Sequence, residues 1–217
     1  MGDLTLIQKI IVWILPVLFA ITGHEVAHGW VAYKLGDRTA QMMGRLTLNP
    51  LKHIDLLGTI IIPGLLLLLG GFVFGWAKPV PVNYENLKHK RRDVILVAAA
   101  GCMANFIMAC LWGGVGRFGV FLLHHGMQWP IALVFMGQAG ILINLILMAL
   151  NLLPIPPLDG SKIVEMLLPK KWAFHYERIA PYGFFILLLL LATKTLGLIL
   201  MPLVNILFRL VMLIVGF

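Results

Sequence analysis

At 217 residues the chain could form one compact domain, but 60% of it is hydrophobic and only 12% charged, against roughly 25% charged in soluble domains. With a mean hydropathy of +0.95, this excludes an ordinary soluble globule, and apolar runs near the ~20 residues that cross a bilayer point to a multi-pass membrane protein. The net charge of +8 sits in loops between those runs, where it orients the chain against an anionic leaflet, so the bilayer and not nucleic acid is the expected partner.

The first apolar segment runs from Leu6 to about Leu35, stopping near Gly36-Asp37. It lacks the basic start and small-residue cleavage site of a signal peptide, so it reads as a retained helix. Arg38 to Asp55, with Gly44 and Asn49-Pro50, reads as turns and short strands. Gly58 to Trp76 is apolar again but broken by Pro63, Gly64, Gly70 and Gly71. The run Lys78-Pro79-Val80-Pro81-Val82-Asn83 is extended, because proline disfavours helix at the residue before it.

Lys88, Lys90, Arg91 and Arg92 lead into a helix from about Asp93 to Gly119, and a second follows from about Pro130 to Leu153. A basic loop, Lys162 to Arg178, precedes one or two final helices from about Ile179 to Phe217. Cys102 and Cys110 lie in an apolar run without CxxC spacing and read as small buried hydrophobes. The expected fold is an all-α polytopic membrane protein of about five to six apolar segments, with a re-entrant or short-strand element between the first and second core helices. One membrane-embedded domain, 1–217, accounts for the chain, its core at about 6–160 and its C-terminal helices at about 179–217.

The chemistry begins at His24-Glu25-Val26-Ala27-His28, an HExxH motif. On a helix, positions i and i+4 share a face, so both imidazoles reach one Zn²⁺. Glu25 projects beside them, where it can take a proton from water activated by the metal. Ionisable groups at bilayer depth are costly and mark function. A catalytic zinc site usually takes three protein ligands and a water, so a third ligand is missing. Most other acids lie in loops among basic residues. Asp159 differs, because it follows an apolar helix in Pro154-Ile-Pro156-Pro157-Leu158-Asp159-Gly160. Broken helix at membrane depth is tolerated only in protein or beside a polar cavity, which places Asp159 well to complete a His-His-Asp site.

These two motifs resemble the site-2 protease family of intramembrane zinc metalloproteases, whose signature is HExxH on one membrane helix and a later Asn-x-x-Pro…Asp-Gly element. The resemblance covers the family core and nearly the whole chain. It implies one zinc held by His24, His28 and Asp159, with Glu25 as general base. It implies that Asn151 helps bind the scissile carbonyl or its oxyanion. Ala98-Ala-Ala-Gly101-Cys-Met-Ala-Asn105 resembles the family's middle core helix, with Cys102 where the family often has proline. Gly101 and Asn105 read either as part of that pattern or as ordinary close packing with one interhelical hydrogen bond. The other histidines, His53, His89, His124, His125 and His175, read as interfacial or solvated.

The ligands must meet at one depth. His28 lies seven residues before Leu35, about 10 Å from that helix end, and Asp159 lies just past the helix ending near Leu153. Both helices must then run the same way, so the chain crosses an odd number of times between them, and Gly58–Trp76 is expected to dip in and return. Counting Lys and Arg in short loops puts the ligand end at the cytoplasmic face, with only Arg117 in the opposite loop.

The function that follows is zinc-dependent hydrolysis of peptide bonds in or next to transmembrane segments, with transmembrane proteins or signal-peptide remnants as substrates. Pro79–Val82 is a candidate edge for strand addition. The alternative is a membrane metal transporter or metal-binding scaffold using the same ligands. A transporter would show intramembrane acids or histidines strung along a path, and a scaffold would not need Glu25.

Overall fold

The computed structural model describes residues 5–61, 78–127 and 129–216. Helix α1, Leu6–Leu35, opens with a reciprocal capping box: the Thr5 hydroxyl accepts the Gln8 N–H, and the Gln8 side chain accepts the Thr5 N–H. It closes at Gly36, whose φ of 120° suits a residue without Cβ. Short α2 (Thr39–Met42), a 3₁₀ turn (Pro50–Lys52) and a π-helical turn (Leu56–Ile61) follow. Another 3₁₀ turn, Tyr84–Asn86, leads to α3 (Lys90–His124) and α4 (Ile131–Asn151). The chain ends with α5 (Asp159–Leu167), α6 (Lys170–Glu177), α7 (Ala180–Ala192) and α8 (Thr195–Val215).

Two expectations need correction. No strand occurs between α1 and α3 among the described residues. Asp37, Asn49 and Asn83 accept hydrogen bonds from backbone amides two residues on, those of Thr39, Leu51 and Glu85. Such side-chain bonds compete with ladder formation and produce turns. The basic stretch 162–178 is also largely helical rather than loop. Its charges mask an amphipathic pattern, because Ile163, Val164, Met166 and Leu167 alternate with Lys162 and Glu165 at helical spacing. The expected re-entrant course of Gly58–Trp76 falls mainly on residues 62–77, outside the described residues.

Helix directions follow from side-chain pairs. His24 meets Asn105 and His28 meets the Val97 carbonyl, so α1 and α3 run antiparallel. Asn105 meets Asn144, and Cβ atoms added at Gly137 and Gly140 would meet Gly116 and Trp112, so α3 and α4 are antiparallel too. Helices α1 and α4 are therefore parallel, as ligands on α1 and just after α4 at one depth require. Leu196 and Leu200 of α8 lie beside Ile146 and Leu150, whereas Phe208 and Met212 share a cavity wall with Gly116 and Val134, so α8 runs against α4.

Helices α1, α3, α4 and α8 are each long and apolar enough to cross a membrane, and the protein is an integral, multi-pass membrane protein. Helix α7 has 13 residues, about 20 Å, short of the ~30 Å hydrocarbon layer. It starts against the Pro156 carbonyl and delivers the chain to α8 beside Leu150, so both its ends lie at one end of the bundle.

A buried carboxylate ties that end together. Asp37 accepts hydrogen bonds from the Thr39 amide and hydroxyl, the Asn83 amide and the Asn86 side chain. Burial raises its pKa, but these donors outweigh that and hold the carboxyl below its ordinary value. A depressed folded-state pKa stabilises the fold above the unfolded pKa of about 3.9 and loses that contribution as pH falls through the folded value. Acid titration of unfolding in detergent should show this loss in the native chain, and Asp37→Asn should flatten it.

Cysteine labelling checks the helix directions. In a chain with Cys102 and Cys110 replaced, cysteines at Arg45, Glu85 and Lys170 should label from one face only, and one at Trp129 from the other.

Candidate metal centre

His24 and His28 stand one turn apart in the second half of α1 and point at α3. The Asn105 side-chain amide donates to the Ala20 carbonyl at 3.2 Å and to the Asn144 side chain at 2.9 Å. Its oxygen therefore faces His24 Nδ1, at 2.6 Å, and that nitrogen must carry the proton. His28 Nδ1 lies 2.7 Å from the Val97 carbonyl, which accepts only from N–H. In its neutral form each imidazole is thus the tautomer with a bare Nε2.

The two Nε2 atoms face each other at 3.0 Å, and Asp159 Oδ2 lies 3.2 Å from each. That carboxylate oxygen is buried and receives no hydrogen bond. With Asp159 as a carboxylate and both imidazoles neutral, the protonation states that metal ligation takes, Oδ2 and the two Nε2 atoms are all acceptors. Three acceptor atoms converge with no proton between them, an unfavourable arrangement that a divalent cation resolves. Ligand atoms on a tetrahedral zinc lie roughly 3.3 Å apart, close to the spacing here. His24, His28 and Asp159 form a group able to hold one metal ion, and it is the only such group among the described residues.

Each residue arrives by a different route. Asp159 opens α5, just after Pro154, Pro156 and Pro157 have ended α4 and turned the chain. Gly101 of α3 lies against the imidazoles: a Cβ there would stand 2.7 Å from His24 Nδ1 and closer still to His28 Nε2. Glu25 faces a cavity of about 330 Å³ that His24, His28 and Asp159 also line, and its carboxylate accepts the Val80 N–H at 2.8 Å. Asn151 lines the same cavity, with its side-chain amide donating to the Leu147 carbonyl at 3.0 Å. The structure thus brings all five sequence-chosen residues around one space.

Comparison with known proteins gives the family. Residues 115–191 match the profile described as "Peptidase family M50", a stretch that includes Asn151 and Asp159. The chain is 41% identical over 197 residues to "Putative zinc metalloprotease YwhC" of Bacillus subtilis, covering 88% of this chain and 85% of that protein. The chain belongs to peptidase family M50. It is also 31% identical over 181 residues to "Putative zinc metalloprotease Rip2" of Mycolicibacterium smegmatis, covering 83% of this chain and 66% of that one. No solved structure matches it. Within family M50, the site-2 protease family, it is a zinc peptidase.

Reading the sequence missed two parts of this centre. Asn144 completes the amide ladder from His24 to the Gly140 carbonyl, and the Val97 carbonyl orients His28. The sole signal for Asn144 was a polar residue inside an apolar helix. Gly101 and Asn105 were legible only as close packing or family pattern. His53, read as interfacial or solvated, is buried and bonded through Nε2 to the Thr47 carbonyl.

Removing a group that orients a metal-binding histidine typically costs 10–100-fold in metal affinity. Asn105→Ala should weaken zinc binding by about that factor. Gly101→Ala should lower zinc content further, because its methyl would push on both imidazoles. Elemental analysis of purified protein, with circular dichroism to verify helicity, measures both.

Proposed function

We propose that this M50 peptidase cleaves its substrates within or at the edge of the bilayer, with His24, His28 and Asp159 as zinc ligands. The observation that carries this reading is the placement of the ligand group inside a bundle of membrane-spanning helices. His28 lies about 10 Å from the end of α1, at 1.5 Å per residue. A soluble peptide has no reason to reach that depth, whereas a transmembrane segment is already there.

Bound zinc would act as a Lewis acid on the scissile carbonyl and lower the pKa of the attacking water. The remaining chemistry falls to the chain. Glu25 lines the same cavity as the three ligands without being one of them, so its carboxylate can accept the water's proton and pass it to the leaving nitrogen. The Val80 amide holds that carboxylate in place. Asn151 would swing its amide from the Leu147 carbonyl into the cavity, where it would donate to the developing oxyanion.

Substrate amides in a membrane helix are internally bonded, so the helix must unwind first. The segment 79–82 passes the cavity, and Pro79 and Pro81 carry no N–H, leaving carbonyls to accept from an extended substrate. Transmembrane proteins and signal-peptide remnants are substrates of this kind. The site end of the bundle carries the Lys and Arg residues of the segments after α1 and before α3 and of helices α5 and α6. By the positive-inside rule it would face the cytoplasm.

The test uses purified enzyme with a transmembrane peptide in vesicles. Glu25→Gln should keep its zinc and fold but lose cleavage, since an amide cannot accept the proton. Wild-type turnover in that variant would overturn the role of Glu25. Asn151→Ala should retain zinc and cleave about 10²–10³-fold more slowly, the usual cost of one oxyanion donor. Cleavage of soluble peptides as fast as membrane-embedded ones would remove the intramembrane reading.

A further inference from the structure

Helix α6 takes no part in the site described so far, yet its surface is unusual. Phe174 is 60% exposed. Lys170, Lys171 and Arg178 flank it at helical spacings of four, three and four, so all share its face. The Arg178 guanidinium lies 5.7 Å from the Phe174 ring centroid. Trp172, exposed on the same helix, adds a second large aromatic. Of the acids nearby, Glu177 is exposed on the same helix and Glu165 pairs with Lys162.

The surroundings extend this surface in two directions. Arg91 donates to the Leu167 carbonyl at 3.1 Å, so the basic start of α3 abuts the junction between α5 and α6. Beyond a 62° bend, α6 gives way to α7. That helix exposes Tyr182, Phe185 and Leu189 at 64–66%, an interfacial tyrosine followed by an apolar surface suited to hydrocarbon. A basic, aromatic helix that turns directly into such a segment stands at the boundary between headgroups and acyl chains.

The same pair of helices grips the loop that carries the third metal ligand. The Tyr176 hydroxyl donates to the Pro154 carbonyl at 2.8 Å. Gly183, at the start of α7, lets the Pro156 carbonyl approach where any Cβ would collide. Pro154 and Pro156 belong to the link between Asn151 and Asp159.

We infer that α6 is seated on the anionic headgroup layer of the bilayer through Lys170, Lys171, Phe174 and Arg178, and that Tyr176 couples this seat to the loop that delivers Asp159. Anionic phospholipid is the ligand class, because each cation gains from the leaflet's negative potential while the aromatic ring enters below it. An acidic protein partner would match the charge but would not explain the apolar helix that follows.

The experiment uses the full chain with Cys102 and Cys110 replaced by alanine and a nitroxide at Phe174→Cys. It is reconstituted in vesicles of phosphatidylcholine alone or mixed with phosphatidylglycerol. Collision with oxygen and with a water-soluble nickel chelate reports the label's depth. The label should lie at headgroup depth in mixed vesicles and move into water at high salt or in Lys170→Glu/Lys171→Glu. Equal exposure to water in both vesicle types would overturn the seat. So would a label shielded only after polyglutamate is added, which would indicate an acidic polypeptide instead. Trp172→Cys provides a second labelling position if zinc content shows that Phe174→Cys disturbs folding. For the coupling, turnover of the native chain should rise with phosphatidylglycerol, and Tyr176→Phe should abolish that rise while α6 stays on the lipid. An unchanged lipid response in Tyr176→Phe would remove the link to Asp159.

Discussion

The hydrogen bond from His24 to Asn105 fixes more of this protein than its size suggests. In hydrocarbon, polar groups must be satisfied within the protein, and a half-satisfied network is worse than none. Asn105 spends one amide proton on the Ala20 carbonyl and the other on Asn144, which in turn donates to the Gly140 carbonyl. Only its oxygen is left for His24. The ladder therefore joins α1, α3 and α4, sets their relative depth and assigns the histidine tautomer together. Reversing one amide would set donor against donor at some rung, so the arrangement is mutually enforced.

Close helix approach is the second half of that arrangement. The Asn105 bonds form only because α3 comes near enough to both neighbours, and glycines at the contacts allow it. Gly116 and Gly137 face each other, where a Cβ on Gly137 would stand 2.5 Å from the Gly116 Cα, and Gly101 lies as close against the imidazoles. Without a hydrophobic force between helices in lipid, such backbone contact and interhelical hydrogen bonds carry the packing. The metal centre thus lies at one of these close contacts, with α3 packed directly on the imidazoles.

What could be read in advance divides along physical lines. The HExxH histidines were legible because a helix fixes the relation between positions four apart. Asp159 was legible because helix-breaking prolines at membrane depth require a polar purpose. The parallel course of α1 and α4 followed from the need for one depth. Asn144 and the Val97 carbonyl were not legible, since their roles depend on which helix faces come together. The region between α1 and α3 was read as turns and short strands, and the strands failed because alternation resembles a strand until Asx caps take up the amides. Residues 162–178 were misread as loop because charge count outweighed the helical spacing of their apolar residues.

The buried Asp37 gains its meaning from the far side of the cavity. A carboxylate beside a dication tends to bind it directly, which would end any role as a base. Glu25 is kept apart partly by helix phase, as the residue after His24 points about 100° away, and partly by the Val80 amide that its oxygen accepts. Val80 can restrain Glu25 only if its own segment is held. That segment is fixed three residues on, where Asp37 takes the Asn83 amide and, beyond it, the Asn86 side chain. Asp37 itself sits two residues past the end of α1, the helix that carries Glu25. The restraint thus closes a loop from α1 through the extended segment and back to α1, so the carboxylate and the amide opposing it share one frame.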